Sequence, residues 1–207
     1  INTCIACNQA CLDHVFQNRR ASCLVNPRAC HETELKIEPA SIRKRIAVIG
    51  AGPAGMACAS TLGERGHAVT LIDQAGEIGG QFNVAKQIPG KEEFHETLRY
   101  FRHRLQDVGV EVRLDQSADA TTLREGGYDE VVIATGITPR QVSFPGSDDP
   151  RVLGYLDVLA RHQPVGARVA IIGAGGIGFD VAEFMVEHLP SPTTDVARWT
   201  REWGVDM

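Results

Sequence analysis

Ile46-Ala47-Val48-Ile49-Gly50-Ala51-Gly52-Pro53-Ala54-Gly55 is an apolar run that ends on a glycine loop. The run from Ile46 to Ile49, bounded by Gly50, reads as a buried parallel strand. Ala54 to Arg65 reads as a helix with Ala54, Ala57, Cys58, Thr61 and Leu62 on its packing face, and Gly66 suits the position just past its end. Val69 to Ile72 gives a second strand that stops at Asp73. Strand, loop, helix and strand make a βαβ unit. In such a unit Gly50 permits the tight turn, Gly52 lets backbone N–H groups approach a pyrophosphate, and Gly55 allows helix and strand to pack closely. The helix N-terminus adds a partial positive charge for phosphates. Asp73, at the end of the second strand, suits a ribose hydroxyl. The loop therefore predicts a dinucleotide site.

Downstream, Phe94, Leu98, Phe101 and Leu105 recur at helical spacing, so Glu92 to Gln106 reads as an amphipathic helix. Val110, Val112 and Leu114 alternate as a strand does, and Glu130 to Ala134 reads as a further buried strand. Two small-residue motifs point to FAD on the first loop. Gly79-Gly80 lets backbone pass beside ribityl and diphosphate groups, and Ala134-Thr135-Gly136 ends a strand with residues small enough to cross near a cofactor. Val169 to Ile172 repeats the opening strand. Gly173-Ala174-Gly175-Gly176-Ile177-Gly178 follows as a second loop, with a helix from about Ile177 to His188. This loop suits a nicotinamide nucleotide. Asp180 and Glu183 lie on the helix itself and cannot choose between NAD and NADP. No strand is evident after Pro190 and Pro192, so the second unit reads as unfinished.

Five of the six cysteines fall within the first thirty residues. Cys4, Cys7, Cys11 and Cys23 follow a C-x2-C-x3-C-x11-C spacing. Thiolates are soft ligands that suit iron–sulfur clusters. Zinc also takes four cysteines, although its modules usually show two C-x2-C knuckles, and plain buried cysteines are a third reading. Cys30 is an odd fifth thiol that no four-ligand site requires, and Cys58 stands alone in a helix. Cysteines gathered ahead of a nucleotide fold favour metal binding in a reducing compartment, hence a cytoplasmic location.

The 207 residues carry a net charge of −5 with Lys and Arg scattered, which argues against a nucleic-acid surface. The apolar runs are too short to cross a bilayer. The chain opens inside a motif, without an initiator Met or an apolar leader, so it reads as a piece of a longer polypeptide. The fold class expected is α/β: a Rossmann-like three-layer FAD-binding domain over 44–163, the start of a second nucleotide-binding domain over 164–207, and a cysteine-rich iron–sulfur segment over 1–43.

Together, the cysteines, G-A-G-P-A-G, Gly79-Gly80-Gln81-Phe82-Asn83, Lys86-Gln87-Ile88-Pro89-Gly90-Lys91, A-T-G-x-x-P-R and G-A-G-G-I-G resemble one family. It is the NADPH-dependent 2,4-dienoyl-CoA reductases among the old-yellow-enzyme-related NADH:flavin oxidoreductases, in their C-terminal half. The resemblance covers nearly the whole chain. It implies a 4Fe–4S cluster on Cys4, Cys7, Cys11 and Cys23, and FAD held by Gly50, Gly52, Ala54, Gly55, Asp73, Gly80, Gln81, Lys91 and Gly136, with the adenine near Ala118. NADP(H) would lie on Gly173, Gly175 and Gly178. It further implies an FMN barrel, absent from this sequence, that holds the catalytic acid and base and the 2,4-dienoyl-CoA substrate. Electrons would pass from NADPH through FAD and the cluster to FMN, and the 207-residue piece alone would be inactive. Rival readings are a trimethylamine-dehydrogenase-like enzyme and a non-catalytic zinc and nucleotide-binding module.

Overall fold

The computed structural model describes residues 1–186, 192 and 195–207. They form two compact units: Ile1–Phe82 with Glu93–Thr138, and Asn83–Glu92 with Pro139–Met207.

The first unit holds a short helix α1 (Leu12–Phe16), then β1 (Arg45–Ile49), α2 (Pro53–Glu64) and β2 (Ala68–Ile72). After α3 (Phe82–Ala85), which crosses into the second unit, come α4 (Glu93–Asp107), β3 (Glu111–Arg113), α5 (Ala120–Glu125) and β4 (Glu130–Ile133). The four strands form one parallel sheet in the order β3-β2-β1-β4. β1 pairs on both sides, from Arg45 with Ala68 to Ile49 with Ile72, and from Ile46 with Glu130 to Ile49 with Ile133. A central parallel strand is covered by neighbours and helices, which is why Ile46, Ala47 and Val48 are all buried and the run is almost purely apolar.

Val48, Val69 and Leu71 from the sheet pack with Met56 and Ala59 from α2 and with Leu98 and Leu105 from α4. Burying a Leu or Met of this kind contributes roughly 1.5–3 kcal/mol. The amphipathic reading of α4 holds, since Leu98 and Leu105 are buried, Phe101 packs against the core, and the Phe94 ring lies 4.6 Å from that of Phe82. The reading of α2 needs correction. Its buried face is Gly55, Met56, Ala59 and Ser60, while Ala54, Ala57 and Thr61 are exposed and only Cys58 and Leu62 flank the core. The large side chain of Met56 takes the contact that a row of small residues had suggested for itself. Gly66 does follow the helix, at a φ of 91°, donating to the Gly63 carbonyl.

The second unit contains α6 (Tyr155–Leu159), α7 (Gly176–Val186) and α8 (Val196–Trp203), with Ile88, Val158, Leu159 and Val181 at its core. Val169 to Ile172 was expected to be a strand, and it is not one: the segment is irregular, with Val169, Ile171 and Ile172 exposed. A strand exists through its ladder, and the segment pairs with no strand among the described residues. The helix after the second loop is present from Gly176, and its expected end at His188 lies outside the described residues.

Thr97 is 1% exposed, and its hydroxyl has no hydrogen-bond partner. A buried unsatisfied polar atom costs about 1–3 kcal/mol. Thr97→Val keeps the shape and removes the hydroxyl, so its denaturation midpoint should rise above that of the parent chain. Leu105→Ala in the same helix should lower stability by about 2–5 kcal/mol.

Candidate functional site

The first glycine loop sits at the carboxyl end of β1, where open parallel sheets bind their ligands. Gly50 has a φ of 105°, and a Cβ there would lie 2.3 Å from the Ala134 carbonyl oxygen. A Cβ on Gly55 would lie 1.8 Å from the Gly50 oxygen. Neither position tolerates a side chain. Gly52 differs, because a Cβ there would meet nothing within 4 Å. Its role is to keep space empty above the loop.

The other two small-residue motifs converge on this loop. Gly79 donates its N–H to the Ala51 carbonyl at 2.8 Å, and a Cβ on Gly80 would lie 3.0 Å from the Gly52 Cα. Ala134, at the end of β4, underlies Gly50, and Gly136 continues that strand end at a φ of 73° with open space around it. Pro53 begins α2 and no side chain caps the helix, so its first-turn N–H groups face the space that Gly52 keeps clear. This cradle of backbone donors fits the diphosphate of a dinucleotide. Ala54 and Gln81 are exposed beside these glycines in sequence.

Asp73 takes its place at the end of β2. One carboxylate oxygen accepts from Ala51 N–H at 2.5 Å and the other from Ala75 N–H at 2.8 Å. The carboxylate thus ties the glycine loop to the second strand, a role the sequence pattern did not disclose. The Gln116 N–H donates to the Asp73 carbonyl at 3.0 Å, which brings the segment leading to half-buried Ala118 to the same sheet edge.

In the second unit the second loop repeats the first in miniature. Gly173 has a φ of 115°, a Cβ on Gly178 would lie 2.2 Å from the Gly173 oxygen, and Phe179 N–H donates to Gly175 much as Met56 N–H donates to Gly52. Gly175, like Gly52, has open space where a Cβ would stand. Lys91 belongs to this unit and places its ammonium 2.7 Å from both carboxylate oxygens of Asp180 on α7.

Cys4, Cys7, Cys11 and Cys23 line one small cavity of about 20 Å³, together with Ile5, Asn8, Ala10, Leu24 and Val25. Left-handed turns at Ala6 and Asn8 fold the first three thiols inward, and Ala6 N–H donates to the Cys4 sulfur at 3.3 Å. Ser22 N–H on the Ala10 carbonyl, at 2.6 Å, brings Cys23 back to the others. Yet among the described residues no three His, Cys, Asp or Glu side chains are placed to hold a single metal ion. Four thiols around a common cavity are the soft donor set that an iron–sulfur cluster or a zinc ion takes. Cys30 is exposed and does not line the cavity, and Cys58 packs against the core, where burial pushes its thiol pKa up. A larger cavity lies elsewhere, at the amino ends of the strands. Sequence gave no sign of it because its lining comes from loops and strand starts far apart in the chain.

A parallel sheet with an open glycine cradle at its carboxyl edge defines a dinucleotide-binding oxidoreductase domain. Residues 44–193 match the pyridine nucleotide-disulphide oxidoreductase family, and the chain belongs to it. A domain of this family implies FAD and a nicotinamide nucleotide. The chain is 38% identical over 191 residues to a metal reductase of Desulforamulus reducens, covering 90% of this chain and 29% of the relative. It is 34% identical over 189 residues to a cinnamate reductase of Clostridium sporogenes, covering 91% and 28%. A solved 2-naphthoyl-CoA reductase in complex with 2-naphthoyl-CoA superposes with a TM-score of 0.84 at 34% identity, over 88% of this chain and 28% of that one. The chain thus spans less than a third of the relatives it matches. No helix among the described residues is long and apolar enough to cross a membrane.

Because Gly52 has room and Gly55 has none, the two glycines should separate folding from binding. Gly52→Ala should leave stability within about 0.5 kcal/mol, while retained flavin, read from visible absorbance, falls sharply. Gly55→Ala should lose both. A second prediction concerns the cysteine-rich segment, which Arg20, His31 and Glu34 clasp at the surface. The hydrogen bond from Arg20, then that from His31, hold the Glu34 carboxyl below its ordinary value. A carboxyl depressed in the folded chain stabilises above its unfolded pKa and loses that contribution as pH falls through the folded value. The difference in denaturation midpoint between the parent chain and Glu34→Gln should be full near neutrality and vanish on acidification below the usual carboxylate range.

Proposed function

We propose that this chain is the electron-transfer portion of an iron–sulfur flavoenzyme that reduces 2,4-dienoyl-CoA thioesters with NADPH. The observation that carries the reading is the convergence of Cys4, Cys7, Cys11 and Cys23 on one cavity in the same unit as the glycine cradle. Gly50, Gly52, Gly55 and Gly80, with Ala54, Gln81 and Gly136, would hold FAD, and Asp73 would hold the loop in shape. Gly173, Gly175 and Gly178 would hold NADP(H).

When bound, FAD, a 4Fe–4S cluster and FMN supply the change from a two-electron donor to single-electron steps and back. The residues of this chain bind and position. The first-turn N–H groups of α2 would neutralise phosphate charge, the four cysteine sulfurs would anchor the cluster, and Ala6 N–H, which donates to the Cys4 sulfur, would withdraw electron density from it. The substrate would be met by an FMN barrel in the remainder of the same polypeptide, in the cytoplasm. Support for a thioester comes from the likeness to a 2-naphthoyl-CoA reductase. The metal and cinnamate reductases reduce other acceptors by name, as expected if the acceptor is chosen outside this portion.

The test uses the intact protein purified without oxygen. It should carry flavin absorbance with about four iron atoms and about four sulfides per chain, and should reduce a 2,4-dienoyl-CoA with NADPH. Cys11→Ser should lose the cluster and dienoyl-CoA reduction while NADPH still bleaches the flavin. A colourless protein with about one zinc per chain overturns the reading, as does a cluster-loaded protein inert toward dienoyl-CoA.

A further inference from the structure

A cavity of about 500 Å³ has no part in the reading above. It lies where β1, β2 and β3 begin, with Arg45, Ala68 to Thr70, Glu111 and Arg113 among the residues around it. The glycine cradle lies where β1 ends, about 16 Å away at ~3.3 Å per strand residue. The size is that of a small-molecule pocket.

Its charge runs against that of the chain. The whole protein carries −5, yet this lining presents the guanidiniums of Arg43, Arg45 and Arg113 and the ring of His67 against one carboxylate, Glu111. That carboxylate is already engaged, accepting from Thr70 Oγ1 at 3.2 Å and from Arg113 Nε at 2.9 Å. Arg45 gives Nη2 to the Gly126 carbonyl at 3.0 Å and stands over the Tyr128 ring at 5.7 Å, so its fork is held in place. His67 accepts Lys44 N–H on Nδ1 at 3.2 Å. In the neutral ring that bond puts the proton on Nε2, which becomes a donor. Arg43 is exposed. Val69, Val108 and Tyr128 supply apolar wall, and at Gly66 and Gly109 a Cβ would meet nothing within 4 Å, so the space is open there.

The geometry points to a second ligand site on this sheet: the pocket takes a phosphomonoester, its oxyanion held by Arg43, Arg45 and His67 and its organic body against Val69, Val108 and Tyr128. Planar guanidinium forks match phosphate oxygens in pairs, and a neutral imidazole N–H completes the set. The same oxyanion chemistry is offered by free phosphate, which lacks the body that the apolar wall would contact.

Calorimetric titration of AMP and of inorganic phosphate into the intact, FAD-saturated protein tests this. Saturable binding of AMP is expected, with inorganic phosphate weaker. Equal binding of the two would assign the site to the free anion and overturn the role of the wall. Arg43→Gln with His67→Gln, which keeps an acceptor for Lys44 N–H, should weaken AMP by about tenfold or more without moving the thermal midpoint. Glu111→Gln should tighten it. Absence of saturable binding by either probe, or an affinity unchanged in the Arg43 and His67 variant, overturns the site. Flavin content and NADPH bleaching, read on the same samples, keep its failure distinct from that of the proposed reaction.

Discussion

The first unit is organised by one contact between backbones: the Cα of Gly55 resting on the carbonyl of Gly50, with Gly50 itself pressed against the end of β4 at Ala134. A methyl group at either glycine would overlap an oxygen. Because the helix starts this close to the strand it follows, its first turn points its free N–H groups across the end of the sheet. The loop is then fixed by Gly79 N–H on Ala51 and by the Asp73 carboxylate on Ala51 N–H. What is left open is the space above Gly52. Binding chemistry here is a consequence of excluding side chains, and the donors are main-chain groups whose positions do not depend on rotamers.

The parts of this arrangement that could be read in the sequence are those written locally. A short continuous apolar run followed by a helical segment, punctuated by glycines at fixed offsets, specifies strand, loop and helix within about thirty residues. The same reading erred on which side of α2 is buried. Small residues at Ala54, Ala57 and Thr61 looked like a packing face, but the start of the helix at Pro53 turns Met56, Ala59 and Ser60 toward the sheet instead. Rotation of a helix about its axis is set by how it is entered, and no periodicity count contains that information. The clamp by Asp73 escaped for a related reason, since a carboxylate at a strand end bonds whichever N–H the fold delivers.

Spacing alone left the cysteines divided between a cluster, a zinc ion and plain burial. Distance along the chain does not fix distance in space, and Cys23 is returned by bonds such as Ser22 N–H to the Ala10 carbonyl and the Asn2 side-chain amide to the Val25 carbonyl. Left-handed conformations at Ala6 and Asn8, uncommon for residues with a side chain, do the rest. They put successive thiols around one cavity within an eight-residue stretch. The basic pocket at the opposite edge of the sheet was illegible throughout, because its cations come from the entries to β1 and β2 and from the end of β3.

Comparison of the two glycine loops separates what is local from what is not. Gly173 and Gly178 reproduce the approach of Gly50 and Gly55, and Gly175 opens its helix as Gly52 does, although the segment before Gly173 forms no strand. The bend from loop to helix is therefore encoded by the glycines and the helix themselves. A ladder is different in kind, since Val169, Ile171 and Ile172 have the composition of β1 and remain exposed. Their hydrogen bonds require a neighbour, and apolar content cannot substitute for one. β1 has two such neighbours, and this difference in pairing, more than any difference in sequence, accounts for the contrast between a buried strand and an exposed segment.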